Sequence, residues 1–317
     1  MIHKNHSLYW DDFEKRISET VHCIKNGVDV QVRRIAVFIT NKCNMQCSYC
    51  KHEINRETMS KETFEKIIKI YGDSSIIHIT GGEPSTVSWL YPYLEKNYTK
   101  YKFHLNTNAF ICPPSKAVKR LKISLDSNDQ NYWDKLVGKK GAFEKVVRNI
   151  KLSIPNTVVS ITYTITKENY RDIPKFIDFS NKEFVGLYAL FFSIYKGNNL
   201  RFIMDRNNIE EFFNKIVPII KEKLVGESLN LFNETIPEKI RIREDNRFPE
   251  NGCGICYLSL SERTYNPAGM VYGCSHLYRD HIYINPGEKD YNACRYGCNL
   301  RLVTFNKEVN ELLKKKE

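Results

Sequence analysis

Three cysteines lie within eight residues of the chain, at Cys43, Cys47 and Cys50, in the pattern C-x3-C-x2-C. Thiolates at this spacing are able to hold three irons of a cubane iron–sulfur cluster. The fourth iron would then lack a protein ligand, and a small molecule could chelate it. This arrangement suits a reaction in which the cluster passes one electron to a bound sulfonium. The same cysteines could instead form half of a structural zinc site, or a disulfide, so both remain as alternatives.

The cysteine loop resembles the signature of the radical SAM (S-adenosylmethionine) superfamily, C-x3-C-x-aromatic-C, with Tyr49 in the aromatic position. A second match, Gly81-Gly82-Glu83-Pro84, resembles the family's site for the methionine amino group. The resemblance covers residues 34–192 well and the rest more loosely. It implies an enzyme with a [4Fe–4S] cluster that cleaves S-adenosylmethionine to a 5′-deoxyadenosyl radical, which abstracts hydrogen from substrate. It also implies an external one-electron donor such as flavodoxin or ferredoxin.

The resemblance also implies which residues bind S-adenosylmethionine. Gly81 and Gly82 would let the backbone approach closely, because glycine has no Cβ atom. That backbone, with Glu83, would bind the amino group, and Pro84 would stiffen the turn. The motif Leu121–Asp126 resembles the family's fourth strand, whose polar residues contact the ribose or carboxylate. The other polar candidates at strand ends are Asn106, Thr107 and Asn108 after the third strand, and Ser124 and Asp126 at the fourth.

Two of these candidates have equally plausible structural roles. Tyr49 is expected to stack near the adenine or to contact it through its backbone, and simple packing is the alternative. Asp126 follows a strand, a position from which aspartate also caps the next helix well.

A second group of cysteines lies between residues 253 and 298, and two short β-forming runs around Pro267-Ala268-Gly269 predict a hairpin there. The segment resembles the SPASM/Twitch extension of many radical SAM enzymes, because Cys256, Gly269 and Cys274 match its C-x(n)-G-x4-C pattern. The resemblance implies one auxiliary [4Fe–4S] cluster, and zinc is the alternative. The implied ligands are Cys256, Cys274, Cys294 and Cys298, although the closing C-x3-C departs from the expected C-x2-C.

Cys253 is left over from this set. It could replace Cys256 as a ligand or be a bystander. It could also act as a catalytic thiol that returns a hydrogen atom to a substrate radical.

Short apolar runs alternate with amphipathic segments about six times, which predicts βα units and a parallel sheet. Six units could form an open doubly wound sheet or an incomplete barrel. The resemblance favours an incomplete (β/α)6 TIM-like barrel with a small C-terminal cysteine-rich β-hairpin extension. In both folds the loops after the strands line one crevice, so the cysteine loop and Gly81–Pro84 should face each other across it. The expected strands are 34–40, 75–80, 101–105, 121–125, 158–165 and 184–192. The expected helices are 9–26, 60–71, 86–97, 129–152 with an interruption near Gly138–Gly141, 173–180 and 208–224.

These elements suggest three segments: an N-terminal helical segment (1–33), the radical SAM partial barrel (34–225) and an auxiliary iron–sulfur domain (226–317). No apolar run is long enough to span a membrane, and the first residues lack the apolar region of a signal peptide. Ten cysteines in such a chain indicate metal ligands rather than disulfides. We therefore expect a cytoplasmic protein.

The formal net charge of +11 fits a lysine-rich surface or an acidic partner such as a peptide or nucleic acid. Nothing in the sequence resembles a nucleic-acid-binding motif, so nucleic acid is not an expected partner. The leading hypothesis is oxidation or cross-linking of a ribosomally made peptide. The alternatives are a redox-neutral peptide epimerase that uses Cys253, a small-molecule alcohol or sugar dehydrogenase, and a zinc-dependent binding protein. The molybdenum-cofactor enzyme ranks low, because the chain ends in Lys-Lys-Lys-Glu instead of that family's Gly-Gly.

Overall fold

The computed structural model describes residues 13–50, 56–195, 197–233, 256–275 and 300–315, together with Ile236 and Tyr278. Within these residues the strands form one eight-stranded sheet. The strands are β1 (Arg34–Phe38), β2 (Ile76–Thr80), β3 (Lys102–Thr107), β4 (Arg120–Ser124), β5 (Val158–Ile165), β6 (Ala189–Ile194), β7 (Glu262–Tyr265) and β8 (Val271–Tyr272).

Helices connect the first six strands and flank the sheet. Side chains cap the helices where the sequence predicts a start: Ser60 accepts from the backbone N–H of Thr63 at 3.1 Å, and Asp129 accepts from that of Tyr132 at 2.9 Å. The helices are α1 (Phe13–Lys25), α2 (Lys61–Tyr71), α3 (Leu90–Asn97), α4 (Gln130–Leu136), α5 (Ala142–Ser153), α6 (Ile173–Glu183), α7 (Arg206–Glu211), α8 (Val217–Lys223) and α9 (Leu300–Lys314), with a π-helical turn, Phe212–Ile216, between α7 and α8 and a single helical turn, Leu258–Ser261, before β7.

Strands β1 to β6 are parallel and occur in the sheet in chain order. This is the α/β fold with a parallel sheet that the alternation predicts, and the sheet is open, as in an incomplete barrel. Fully buried apolar side chains alternate along the strands, as in Ile77 and Ile79 of β2 and Phe103 and Leu105 of β3. The main core therefore fills the space between the sheet and its helices, and the loops after the strands remain available for a site.

The predicted C-terminal hairpin is confirmed, since β7 and β8 pair antiparallel, with Thr264 opposite Tyr272. Its place in the fold was not predicted. Strand β7 runs parallel to β1, with Arg34 beside Glu262, and these two side chains form an ion pair of 2.9 Å. The hairpin thus continues the barrel sheet at its β1 edge instead of standing apart from it.

A second, smaller core joins the N-terminal helix α1 to the C-terminal helix α9. It contains Ile17 of α1, Phe305 and Val309 of α9, and Tyr257 and Leu258, which lie just before β7 in the chain. In the described part of the chain, α1 begins at Phe13, so the start of the predicted helix at residue 9 lies outside it. None of the helices described is long and apolar enough to cross a membrane.

Candidate functional site

The cysteine loop and the Gly81–Pro84 turn lie side by side after the adjacent strands β1 and β2. The backbone N–H of Gly82 donates to the carbonyl of Thr40 at 2.7 Å, and that of Glu83 donates to the carbonyl of Lys42 at 2.8 Å. The expectation that the two segments face each other across a crevice is therefore wrong. Consecutive strands commonly pair with each other, so the loops that follow them are neighbours along the rim of the sheet.

Glycine is required at both positions of this turn by the closeness of the neighbouring backbone. A Cβ atom built on Gly81 would lie 2.4 Å from the carbonyl oxygen of Thr40, and one on Gly82 would lie 2.3 Å from that of Lys42. Both distances are well inside van der Waals contact. The two glycines thus allow the backbone of the turn to contact the start of the cysteine loop. The close approach that they permit is to the protein's own backbone.

The carboxylate of Glu83 is buried and bonded within the protein. One oxygen accepts from the hydroxyl of Thr107 at 2.7 Å and from the backbone N–H of Ser85 at 3.0 Å. The other accepts from the backbone N–H of Asn108 at 2.7 Å. Burial raises the pKa of Glu83, and these hydrogen bonds oppose that shift. Three hydrogen-bond donors of the protein surround this carboxylate, so the side chain connects β2 to β3. A ligand at the turn would therefore contact its backbone.

Pro84 is buried at the start of the short 3-10 helix Pro84–Thr86, where its fixed φ stiffens the turn as expected. Asn106 and Thr107 belong to β3 itself rather than to the loop after it, because β3 extends two residues beyond its predicted end. Asn106 is half-buried within the strand.

Asn108 connects the Glu83 network to the cysteine loop. Its side-chain amide donates to the Asn44 side-chain oxygen at 2.7 Å, and its nitrogen lies 4.0 Å from the sulfur of Cys43. Its own side-chain oxygen accepts from the backbone N–H of Phe110 at 3.0 Å. The backbone N–H of Asn108 thus bonds the Glu83 carboxylate, and its side chain joins the cysteine loop to the surface loop after β3.

Half-buried Tyr49 and buried Asp126 form a hydrogen-bonded pair between the cysteine loop and the end of β4. The Tyr49 hydroxyl donates to one carboxylate oxygen of Asp126, and the backbone N–H of Thr164 donates to the other at 2.6 Å. Burial raises the pKa of Asp126 to about 6, although both hydrogen bonds act to lower it. The contacts with adenine and ribose that the resemblance implies for these two residues stay predictions, and Asp129 rather than Asp126 caps α4.

Ser124, the last residue of β4, differs from Asp126 in being exposed. Its position at the carboxyl end of the strand is the one that the resemblance implies for a residue that contacts the ligand.

The three thiols of the cysteine loop are placed by backbone bonds to the end of α4. The N–H groups of Gln46 and Ser48 donate to the carbonyls of Val137 and Leu136, each at 2.9 Å. Cys43 and Cys47 are half-buried and Cys50 is exposed. Burial raises the pKa of the Cys43 and Cys47 thiols, so their deprotonation needs a nearby positive charge of the kind that a bound metal supplies.

The choice between a cluster and a single ion rests on the spacing of the three cysteines in the sequence. Among the described residues, no three His, Cys, Asp or Glu side chains converge as the ligands of one metal ion. Zinc needs thiolates about 2.3 Å from one point, whereas each thiolate of a cubane binds a separate iron.

Of the C-terminal candidates, the structure describes Cys256 and Cys274, whereas Cys253, Cys294 and Cys298 lie outside the described residues. The Cys256 sulfur is 3.9 Å from the side-chain nitrogen of Asn306 on α9. The oxygen of the same amide accepts from the backbone N–H of Tyr257 at 2.8 Å. Asn306 is thus positioned to hold the Cys256 thiol.

The Cys274 segment reaches the cysteine loop through Tyr278. The ring of Tyr278 packs 4.5 Å from that of Phe38 in β1, and its hydroxyl donates to the side-chain oxygen of Asn41 at 3.3 Å. Asn41 precedes Cys43 by two residues, and Tyr278 follows Cys274 by four. The two cysteine groups of the sequence are therefore linked through a direct side-chain contact.

Sequence reasoning missed several residues of this site, including Asn41, Asn44, Tyr278 and Asn306. For Asn306 a signal existed, because it shares the apolar side of α9 with Phe305 and Val309 and is 2% exposed. An asparagine in such a position calls for a buried partner. No comparable local signal marks Tyr278, whose contacts depend on how the hairpin joins β1.

Comparison with known proteins identifies the family that part of this chain matches. Residues 37–180 match the sequence profile of the Radical SAM superfamily. A probable GTP 3′,8-cyclase from Methanopyrus kandleri is 23% identical over 168 residues, which cover 49% of this chain and 55% of the relative. The antilisterial bacteriocin subtilosin biosynthesis protein AlbA from Bacillus subtilis is 27% identical over 150 residues, 43% of this chain and 34% of the relative. The chain thus spans about half the length, or less, of these curated relatives.

Solved structures with the same fold cover more of the chain. Streptococcus suis SuiB bound to its precursor peptide SuiA aligns with a TM-score of 0.58 over 90% of this chain and 69% of SuiB, at 16% identity. The protein anSMEcpe with bound AdoMet aligns with a TM-score of 0.59 over 90% of this chain and 84% of that protein, also at 16% identity. At this identity the likeness supports the partial-barrel fold.

Proposed function

We propose that this chain, which belongs to the radical SAM superfamily through residues 37–180, oxidises or cross-links a ribosomally made peptide. The observation that carries the proposal is the direct backbone contact between the Gly81–Glu83 turn and the cysteine loop. It brings the two elements of a cluster and S-adenosylmethionine site together at one end of a parallel sheet, where such folds bind their ligands.

Cys43, Cys47 and Cys50 are the proposed ligands of a [4Fe–4S] cluster. When bound there with S-adenosylmethionine, this group supplies reductive cleavage of the sulfonium and a hydrogen-abstracting radical. Asn108 orients the Cys43 thiolate, and the backbone carbonyl groups of Gly81 and Gly82 accept from the methionine amino group. Exposed Ser124 is the best-placed of the β4 candidates to contact the ribose or carboxylate.

A second cluster at the C-terminal cysteines is part of the proposal. Its proposed ligands are Cys256 and Cys274, which the structure describes, and Cys294 and Cys298, which the resemblance implies. The contact of Tyr278 with Asn41 supports a location close enough to the first site to accept an electron from substrate. We retain residues 226–317 as the proposed auxiliary domain, 34–225 as the barrel and 1–33 as the N-terminal segment, in a cytoplasmic enzyme.

A peptide substrate is supported by two similarities. SuiB was solved with a precursor peptide, and AlbA takes part in the synthesis of a bacteriocin. The cyclase relative supports a second candidate, because its name implies that GTP is the substrate of that protein. The basic chain is compatible with either ligand, since both a leader peptide rich in Asp and Glu and a nucleoside triphosphate are anionic.

The test is an anaerobic reaction with dithionite, in which 5′-deoxyadenosine is measured by mass spectrometry. The candidate substrates are a short precursor peptide encoded beside the gene and GTP. We expect faster 5′-deoxyadenosine formation and a mass change of the peptide, and a new product from GTP without any change in the peptide would overturn the peptide assignment. A peptide loss of two mass units indicates oxidation or cross-linking, whereas one solvent deuteron gained without that loss indicates epimerisation.

The same reaction with Cys253→Ala separates the remaining alternatives. Continued multiple turnover in that variant excludes the thiol as the returning hydrogen donor. Loss of turnover with deuterium no longer incorporated supports the epimerase. A small alcohol or amino sugar that is oxidised where the peptide is not would support the dehydrogenase alternative.

A further inference from the structure

A basic surface with an aromatic centre adjoins the cysteine loop. The side-chain nitrogens of Lys139 and Lys145 lie 4.1 and 4.4 Å from the centre of the Phe110 ring. The neighbouring Ile111 is 46% exposed, so this surface presents an apolar side chain to solvent. We call Phe110, Ile111, Lys139 and Lys145 the Phe110 patch.

Positive charge dominates the two segments that carry the patch. Residues 110–119 and 134–148 contain seven basic side chains and only two acidic ones, Asp134 and Glu144. The carboxylate of Asp134 already accepts hydrogen bonds from the backbone N–H groups of Gly141 and Phe143. All the basic residues except Lys139 are exposed: Lys116, Lys119, Lys135, Lys140, Lys145 and Arg148. A surface of this kind attracts an acidic protein and speeds its association.

The patch is connected to the first cysteine by a short chain of contacts. Lys139 donates to the backbone carbonyl of Asn44 at 2.8 Å. The backbone N–H of Phe110 donates to the side-chain oxygen of Asn108 at 3.0 Å, and the nitrogen of that amide lies 4.0 Å from the Cys43 sulfur. Only Asn108 thus separates the patch from a proposed cluster ligand.

From this placement we infer that the Phe110 patch is the docking surface for a small acidic one-electron carrier protein. The inference rests on the proposed function, which requires an electron from outside for the cluster at Cys43. In each transfer the docked carrier is oxidised by one electron and the cluster is reduced by one. The ammonium groups select the acidic partner, and half-buried Phe110 and exposed Ile111 at the centre exclude water from the contact.

The test compares two reductants of the reconstituted holoenzyme, with cluster absorbance as the readout. A reduced bacterial flavodoxin, which is acidic, serves as the protein donor, and dithionite serves as the small donor that needs no docking surface. The variant is Lys140→Glu/Lys145→Glu, both positions being exposed. The matched control is Lys66→Glu/Lys69→Glu on α2, which has the same change in charge at exposed positions elsewhere.

We expect the rate constant for reduction by flavodoxin at low salt to fall by about tenfold or more in the patch variant. The rate with dithionite should stay within twofold of wild type. Reduction of the wild type by flavodoxin should slow as salt increases, and the patch variant should show a weaker salt dependence. An equal loss in the control variant, or an unchanged flavodoxin rate in the patch variant, would overturn the proposal.

A second readout does not depend on catalysis. Cys112 is exposed beside Ile111, so bound oxidised flavodoxin should slow its alkylation in the wild type but not in the patch variant. No protection of Cys112 would contradict docking at this surface even if the rates changed. Failure of the proposed function can be distinguished from failure of docking alone. If no cluster is present, dithionite will not bleach the absorbance of any of the proteins, and the docking proposal is then also wrong.

Discussion

The carboxylate of Glu83 accepts the backbone N–H of Asn108 at 2.7 Å, which joins the turn after β2 to the loop after β3. Asn108 in turn reaches the cysteine loop through Asn44. Glu83 and Asn108 thus hold the loops after three neighbouring strands in fixed relative positions. We expect the geometry of the proposed S-adenosylmethionine site to depend on this network.

Replacing Glu83 should damage the site through its architecture. In Glu83→Ala, the donors of Ser85, Thr107 and Asn108 lose their acceptor, so the free energy of unfolding should fall by about 3 kcal/mol. Binding of S-adenosylmethionine, measured by equilibrium dialysis, should weaken at least tenfold. The control is Glu95→Ala, an exposed position on α3. Unchanged stability with weakened binding would instead make Glu83 a direct ligand contact.

Gly82→Ala should separate the turn from the cysteine loop. The new Cβ would lie 2.3 Å from the Lys42 carbonyl oxygen, so the backbone must move at a cost of about 1–3 kcal/mol. We expect less iron retained after reconstitution and weaker binding of S-adenosylmethionine. Gly141→Asn is the control, because that position has a φ of +72°, which asparagine tolerates, and open space around it. Wild-type iron and binding in Gly82→Ala would show that the close approach is dispensable.

Asn108→Ala should lower the reduction potential of the cluster. Removing a hydrogen-bond donor near the Cys43 sulfur disfavours the more negative reduced state. The expected shift is on the order of −60 mV, a tenfold change in the one-electron equilibrium. An EPR-monitored redox titration measures it, with the exposed Asn156→Ala as control. A potential equal to wild type would limit Asn108 to a structural role.

The Tyr49–Asp126 pair predicts a dependence of stability on pH. The pKa of Asp126 in the folded protein, about 6, lies above its ordinary value of 3.8, so the folded state binds the proton more tightly. This contribution is complete below about pH 4 and is lost as pH rises through 6, with a total of about 3 kcal/mol. Asp126→Asn should abolish it, so the stability of this variant relative to wild type should rise between pH 4 and 7.

Tyr49→Phe provides the complementary measurement. The Tyr49 hydroxyl stabilises the charged form of Asp126, so its removal should raise the pKa of Asp126 further and move the loss of stability to higher pH. Urea unfolding across this range measures both variants. A difference between Asp126→Asn and wild type that does not vary with pH would contradict a raised pKa.

Local patterns predicted most of the barrel because each βα unit carries its own signals. The apolar run at Arg34–Phe38 and the cap at Ser60 are examples, and β5 has its predicted bounds. Helix 208–224 was predicted without its π-helical turn, which precedes Pro218, a residue that cannot donate to the helix ladder. The pairing of β7 with β1 joins residues more than two hundred positions apart, and no local pattern encodes it.

The site was predicted less completely than the fold. Spacing located the cysteine loop and the glycine turn, because both patterns are contiguous in the chain. Whether a polar side chain at a strand end faces a ligand or the protein depends on its neighbours in three dimensions. Thus Ser124 is exposed, whereas Asp126, only two residues later, is buried against Tyr49.

The most direct test of the central claim is EPR spectroscopy with iron analysis after anaerobic reconstitution. The wild type is compared with the Cys43→Ala/Cys47→Ala/Cys50→Ala triple variant. We predict about eight irons per chain in the wild type and about four in the variant. Adding S-adenosylmethionine should change the reduced EPR signal of the wild type alone. Equal iron in both proteins, or a wild-type signal that S-adenosylmethionine leaves unchanged, would contradict a cluster and S-adenosylmethionine site at this loop.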